Sequence, residues 1–429
     1  MSHPIKISLW AAVFININII IGAAFFANIS DVTQGAGILS PLAWLACGLV
    51  LLPLTIIFAK LANAYPSAGG LYVYSQRALG TLWGFVSGWS YFIGSVAFNT
   101  VIIHNFCTSL QSLPTLAPWL EKMHLNGLGL DIIVILLFAI LNLLNVKFLE
   151  NFQLGLVIFK AIPIIAVLIA APFIFNVSHI DLHRFAMPDF VGTIPLVLFA
   201  YIGIEACCSI ADKIENGTKN AARAIFISFA LTIIVYTLLQ TAILLIHGTS
   251  GNASFFEILP KLTSNTSIIN GGNMIILLAI LFSYLGGFYG MFYFNNWNIF
   301  AMAKENHIPW ANNFIKRNKN HTPWVCVLFQ TVITLIFLCF TQKQNSIAIM
   351  GDWGVMIAYL LSVISFIALY KKAIGYLALV SSLILIGLCT KDLLFSYGLK
   401  YSIPFLAIIA SGIIIHIWHE SKKQRQQLS

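Results

Sequence analysis

Two apolar stretches carry the residues whose types and spacing could do chemistry. In IIIGAAFFANIS the run Gly22-Ala23-Ala24 offers a place where a helix can come apart, and in FAYIGIEACC a second glycine, Gly203, lies two positions before Glu205. An unwound stretch frees backbone N–H and C=O groups that lipid cannot satisfy, so they must face protein, water or a bound molecule. The half-helix that begins after such a break presents unpaired N–H donors and suits an anion. Glu205 is the only acid, and Lys160 in GLVIFKAIPII the only lysine or arginine, read as lying within the hydrocarbon core. Facing lipid, either would cost several kcal/mol, so each is expected to face the bundle interior or a cavity. Desolvation opposes the charged form of both, and Glu205 is thereby a candidate to take or release a proton. Either residue could instead only cross-link helices through carbonyls or hydroxyls. His104 and His416 read as hydrogen-bonded packing residues rather than proton relays.

The elements that must hold these residues are long apolar helices. Of the 429 residues 59% are hydrophobic and 9% charged, and the mean hydropathy is +0.90; a soluble domain carries roughly a quarter charged residues. Twelve stretches are near the length that crosses a bilayer, at roughly 8–28, 40–59, 83–109, 130–147, 154–175, 190–211, 225–247, 273–301, 324–341, 347–370, 373–390 and 400–418. The first follows a short tail with the single lysine Lys6 and has no small-residue cleavage site before Asp31, so it is expected to remain as a helix. The expected fold is therefore an all-α integral membrane protein of twelve helices, with one transport domain over 1–429 and no soluble domain. Six of the seven cysteines fall inside the stretches and Cys389 at the end of one, which suits small packing residues better than a disulfide or zinc framework.

The net charge of +9 does not call for nucleic acid, because its placement has another explanation. With the N-terminus in the cytoplasm, sixteen lysines and arginines fall on inside segments and six outside, namely Lys122, Arg184, Lys261, Lys343, Lys391 and Lys400, with Lys160 left within a helix. That bias is the positive-inside rule, and it places both termini in the cytoplasm.

The first and sixth stretches each open a run of five, and Ile202-Gly203-Ile204-Glu205 can be laid over Ile21-Gly22-Ala23-Ala24. Matched interruptions in two halves point to an inverted-repeat transporter, with repeats at about 8–175 and 190–370 and two peripheral helices at about 373–418. The glycines alone would equally suit close helix packing.

Four stretches carry a family resemblance. YPSAGGLYVYSQRALG at residues 65–80 resembles the inner loop after the second helix in the amino acid, polyamine and organocation (APC) superfamily of permeases, which includes bacterial amino acid permeases and basic amino acid/polyamine antiporters. LFAYIGIEACCSIADKIENGTKNAARAI resembles that family's sixth helix and following loop, FAMAKENHIPWANNF the end of its eighth, and VIFKAIPII its fifth with its lysine. The resemblance implies that a substrate carboxylate sits on N–H groups at Ala23 and Ala24, next to Gly22. It implies that the amino group is held by carbonyls of Ile20, Phe199 and Ile202 beside Gly203, with Phe199 as an aromatic lid. It implies that Lys160 takes the place of a coupling sodium ion and braces the first helix against the fifth and eighth. Ser90, Tyr91 and Ser95 match positions lining the side-chain pocket, and Met291 stands where basic amino acid exchangers have a stacking tryptophan. Phe292, Tyr293, Phe294 or Trp297 could replace that ring in a shifted register.

No HExxH, GxSxG, paired intramembrane aspartates or Ser/His dyad is present, so no constellation supports a membrane-embedded enzyme. His416 and His419 alone make a poor metal site. A channel would leave the matched breaks, with one buried acid and one buried base, unexplained. The reading is a secondary transporter in a bacterial inner membrane, proton-coupled or an exchanger and sodium-independent, needing no cofactor or metal. Its partners are an amino acid or amine, protons and lipid, with a homodimer as the candidate assembly. In it, helices 1, 2, 6 and 7 rock against 3, 4, 5, 8, 9 and 10. A neutral amino acid is favoured because no acid stands among the side-chain positions, with a basic amino acid or polyamine antiporter as the alternative.

Overall fold

A computed structural model of the chain describes residues 6–113, 116–123, 125, 127–175, 181, 187–249, 254–339, 344–396 and 399–428. Arg184 and Lys343 of the charge count lie outside them. Among the described residues the elements are helical. In chain order they are α1 (Leu9–Ile20), α2 (Ala23–Ala36), α3 (Ser40–Ala64), α4 (Gly70–Leu79), α5 (Thr81–Gln111), α6 (Ala117–Lys122), α7 (Leu128–Leu141), α8 (Val146–Ile174) and α9 (Met187–Tyr201). There follow α10 (Gly217–His247), α11 (Ile258–Leu262), α12 (Thr266–Lys304), α13 (Ala311–Phe314), α14 (Trp324–Leu338), α15 (Gln344–Tyr370), α16 (Ala373–Lys391) and α17 (Leu399–Leu428).

Nine helical spans are long and apolar enough to cross a bilayer, and α1, α7 and α14 are shorter apolar helices, among the described residues. This is an integral membrane protein. Its helices start where local chemistry permits: Ser8 caps α1 through the Ala11 N–H at 3.2 Å, and Asn145 caps α8 through the Phe148 N–H at 2.9 Å. Asn265 caps α12 through Ser267 and Ile268. At the α4–α5 junction Gly80 has φ 89°, which a residue with a Cβ rarely adopts, and so two helices meet there without a linker.

Helix α8 shows how the bundle sorts its faces. Ile158, Ile162, Ile165, Ile169 and Phe173 are exposed, while Gln153, Leu156, Lys160, Ile164 and Val167 are buried. Both sets recur at helical spacing, so one stripe of α8 faces lipid and the other the interior. In a soluble protein such an apolar stripe would be a liability; in a bilayer it is the favoured outside.

The first predicted stretch is split: α1 stops at Ile20 and α2 starts at Ala23. The sixth is interrupted after Tyr201 by a turn and two 3-10 segments, Ala206–Ser209 and Ala211–Lys213. One expectation is corrected. Glu205 is not the only acid buried in the spanning region, because Asp352 in α15 and Asp131 in α7 are fully buried too. Asp131 is held by His104 Nδ1 at 2.8 Å, which joins α5 to α7.

Candidate functional site

At the first break the chain turns within two residues. The Ile21 N–H still donates to Ile17 O at 2.7 Å and the Gly22 N–H to Ile20 O at 2.7 Å. The next N–H groups, of Ala23 and Ala24, open a new helix and have no residue four positions back within it to accept from them. The freed carbonyls of α1 are met by Lys160, whose Nζ donates to Asn18 O at 2.9 Å and to Ile21 O. Lys160 is 2% exposed, so the carbonyls replace the water its ammonium has lost. A hydrogen-bonded link from α8 to α12 is made by Gln153. Gln153 accepts from Asn18 Nδ2 and donates from Nε2 to Gly286 O at 2.9 Å, which links α1, α8 and α12. Helix α12 can come this close because it presents Gly286-Gly287: a Cβ on Gly287 would stand 3.7 Å from Gly22 Cα.

The second break is closed by an acid. Gly203 has φ 109°, and its N–H donates to Glu205 Oε2 at 3.2 Å. The Tyr91 hydroxyl donates to Glu205 Oε1 at 2.7 Å and the Tyr359 hydroxyl to Oε2. Both carboxylate oxygens thus act as acceptors, and Glu205 ties the broken segment to α5 and α15. The two breaks also share one side chain. Tyr236 on α10 places its hydroxyl 2.7 Å from Ile20 O and 3.0 Å from Ala200 O.

Helix α12 passes three cavities in turn. Tyr284 lines one of about 260 Å³ with Asn28, Asp31, Phe199 and Asp352. Met291 lines a central one of about 30 Å³, with Ile20, Gly22, Ala24, Phe98, Phe199 and Ile202. Phe300 lines a third of about 460 Å³. Seven and nine residues separate these three, about 10 and 13 Å along a helix. Phe199 belongs to the first two cavities and stacks on Phe98, centroids 4.6 Å apart at 22°. That pair forms a partition between them. The central volume suffices for a water molecule or two, not for a larger solute.

Of the residues singled out in the sequence, Ile20, Gly22, Ala24, Phe199, Ile202 and Met291 surround the central cavity. Ala23 and Gly203 are in the adjoining breaks. Ser90, Tyr91 and Ser95 are buried on α5 but are not among the lining residues. The alternative aromatics of α12 do not reach the cavity either. Trp297 instead lies under Lys213, with Nζ 2.9 Å from the ring centroid. Sequence reasoning missed Gln153, Tyr236, Tyr359 and Phe98. The first three had one signal, a polar group in or at the edge of an apolar run; Phe98 had none.

Residues 7–410 match the family described as Amino acid permease. The chain is 25% identical over 395 residues to the aspartate-proton symporter of Bacillus subtilis, covering 86% of this chain and 73% of that protein. It is 24% identical over 388 residues to the serine/threonine exchanger of the same organism, covering 86% and 84%. It is 24% identical over 355 residues to the human cystine/glutamate transporter, covering 78% and 68%.

Proposed function

This chain belongs to the amino acid permease family, and from that premise we propose that it carries a neutral amino acid across a bacterial inner membrane by alternating access. Coupling is to protons or to exchange, without sodium. The observation that carries this reading is the Lys160 ammonium on the Asn18 and Ile21 carbonyls. A fixed cation there occupies the carbonyls freed by the break, which a mobile cation would otherwise need. The N–H groups of Ala23 and Ala24 then receive the substrate carboxylate, and the carbonyls of Ile20, Phe199 and Ile202 its amino group.

The nine spans and three shorter apolar helices are read as twelve crossings, in two inverted repeats over about 8–175 and 190–370 with α16 and α17 outside them. Helices α1, α2, α3, α9 and α10 form the moving unit, and both termini are cytoplasmic, which puts the Phe300 cavity inside and the Tyr284 cavity outside. With Phe199 on Phe98 and so little central volume, the central cavity is narrow and walled off from the Tyr284 cavity.

The substrate class follows from the lining. Among the described residues no charged side chain lines the central cavity, and a charged substrate side chain buried there would lack a partner. Met291 offers no ring to a cation. Two relatives are named for aspartate and for serine/threonine, and the uncharged lining favours the second kind. In proteoliposomes, uptake of radiolabelled L-serine should be competed by neutral amino acids better than by aspartate, arginine, ornithine or putrescine. Stronger competition by any of those four would overturn the substrate class.

A further inference from the structure

A cavity far larger than the one at the breaks stands elsewhere along α12. It lies at the Lys304 end of α12, and its rim holds Arg77, Lys304 and Arg317 together with Asp212 and Glu305. Among the described residues no ion pair joins any two of these five side chains. Three exposed cations and two exposed anions thus surround about 460 Å³ without pairing directly, a volume typical of small-molecule sites.

The wall of this cavity is ordered by aromatic faces. The Arg317 guanidinium lies 4.6 Å from the Phe300 centroid and 5.5 Å from that of Trp297. Arg77 lies over Tyr65 at 5.1 Å. Among the described residues neither the Arg317 nor the Arg77 guanidinium donates a hydrogen bond beside these ring contacts, and a guanidinium presents a fork of N–H donors that matches a carboxylate. The floor is fixed as well. Gly69 N–H donates to Ser209 O at 3.3 Å, and Ala68 pairs with Ile210, so the loop before α4 is laid on the interrupted segment that carries Asp212.

We propose that this cavity is a second binding site, for a zwitterionic α-amino acid arriving from the face of the membrane that bears Lys304. The carboxylate goes to Arg317, Lys304 and Arg77, and the ammonium to Asp212 and Glu305. A ligand carrying only negative charge meets two carboxylates, and one carrying only positive charge meets three cations, so the mixed rim selects for both charges on one small molecule. The proposal rests on the transporter reading only for its source of ligand, which is either substrate in transit or an amino acid acting as an effector.

The test uses purified full-length protein and radiolabelled L-serine in equilibrium dialysis, with Gly203→Leu to disable the central site. One equivalent of serine should remain bound to Gly203→Leu, in the millimolar range, and Arg317→Glu added to it should weaken that binding about tenfold or more. Arg317→Lys, which keeps the charge, and thermal unfolding of each variant guard against a folding defect. Neither lactate nor ethanolamine should compete. Loss of all binding in Gly203→Leu while the wild type binds one equivalent would overturn the second site and leave the central one standing. Competition by lactate or ethanolamine, or no binding to any form, would overturn it as well. Transport at the wild-type rate by Gly203→Leu would instead count against the central site. If the ligand is substrate in transit, Arg317→Glu raises KM for efflux and leaves that for uptake; if it is an effector, kcat changes in both directions.

Discussion

The two broken helices solve opposite halves of one problem. At the first, the unsatisfied groups that receive a side chain are carbonyls, and Lys160 supplies the donor. At the second, the group that receives one is the Gly203 N–H, and Glu205 supplies the acceptor. The difference decides what is left over. With its carbonyls met by an ammonium, the first break keeps the N–H groups of α2 available to an anion. At the second, the Gly203 N–H is taken by the chain's own acid, and that acid is tied to two tyrosines on other helices. The first break thus turns a side-chain donor onto carbonyls, and the second a side-chain acceptor onto an N–H.

Lys160→Ala breaks this contrast most completely. It leaves the Asn18 and Ile21 carbonyls without their donor, so transport should be lost and the fold weakened by about 2–3 kcal/mol, read by denaturant or thermal unfolding. Transport at near the wild-type rate would reduce Lys160 to a packing residue. Next is Gly203→Leu. Its φ of 109° and a Cβ only 2.6 Å from Ile19 Cγ2 make any larger residue strained, by about 1–3 kcal/mol. Serine binding at the central site should disappear; Gly22→Leu, with φ −87°, has no such backbone strain and should lose binding through occlusion alone.

Smaller effects are expected at the second break. Tyr359→Phe removes one donor from Glu205 and should cost about 1–3 kcal/mol, seen as a lower unfolding midpoint. Glu205→Gln should flatten the pH profile of transport, since glutamine does not titrate, and an unchanged profile would make Glu205 purely structural. A pH-dependent effect of a different kind belongs to Lys213, next to that break but outside the spans. Burial pulls it down from the ordinary lysine value of 10.5 to about 7, against the opposing pull of Asp212 and with the help of Arg317. Between those two values the unfolded chain keeps a proton that the folded chain has released. Stability should therefore rise with pH across that window, and below it the penalty is present in full. Lys213→Met should make the slope in thermal unfolding less positive across that window; an identical slope would assign it to other groups.

Glycines and charges were legible in the sequence because each is costly in a membrane helix and needs a reason. Gly22, Gly203, Lys160 and Glu205 all stand at the breaks for that reason. Polar residues that cost less were passed over: Gln153, Tyr236 and Tyr359 are ordinary in composition, and only folding shows that each hydroxyl or amide reaches a broken helix. The sequence points to Lys160 as a brace of the first helix against the fifth and eighth; Lys160 donates to α1-side carbonyls, while Gln153, about two turns away on α8, donates to Gly286 O. Met291 could be placed by counting along an unbroken helix. Tyr91 could not be given its role, because the contact with Glu205 spans 114 residues of sequence.

The central claim is that a fixed ammonium at the first break stands in for a mobile cation. Its most direct test is L-serine uptake into proteoliposomes at constant pH with sodium fully replaced by choline. The account predicts the same initial rate in both media for the wild type, and no rescue of Lys160→Ala by sodium. Uptake that requires sodium in the wild type would contradict it.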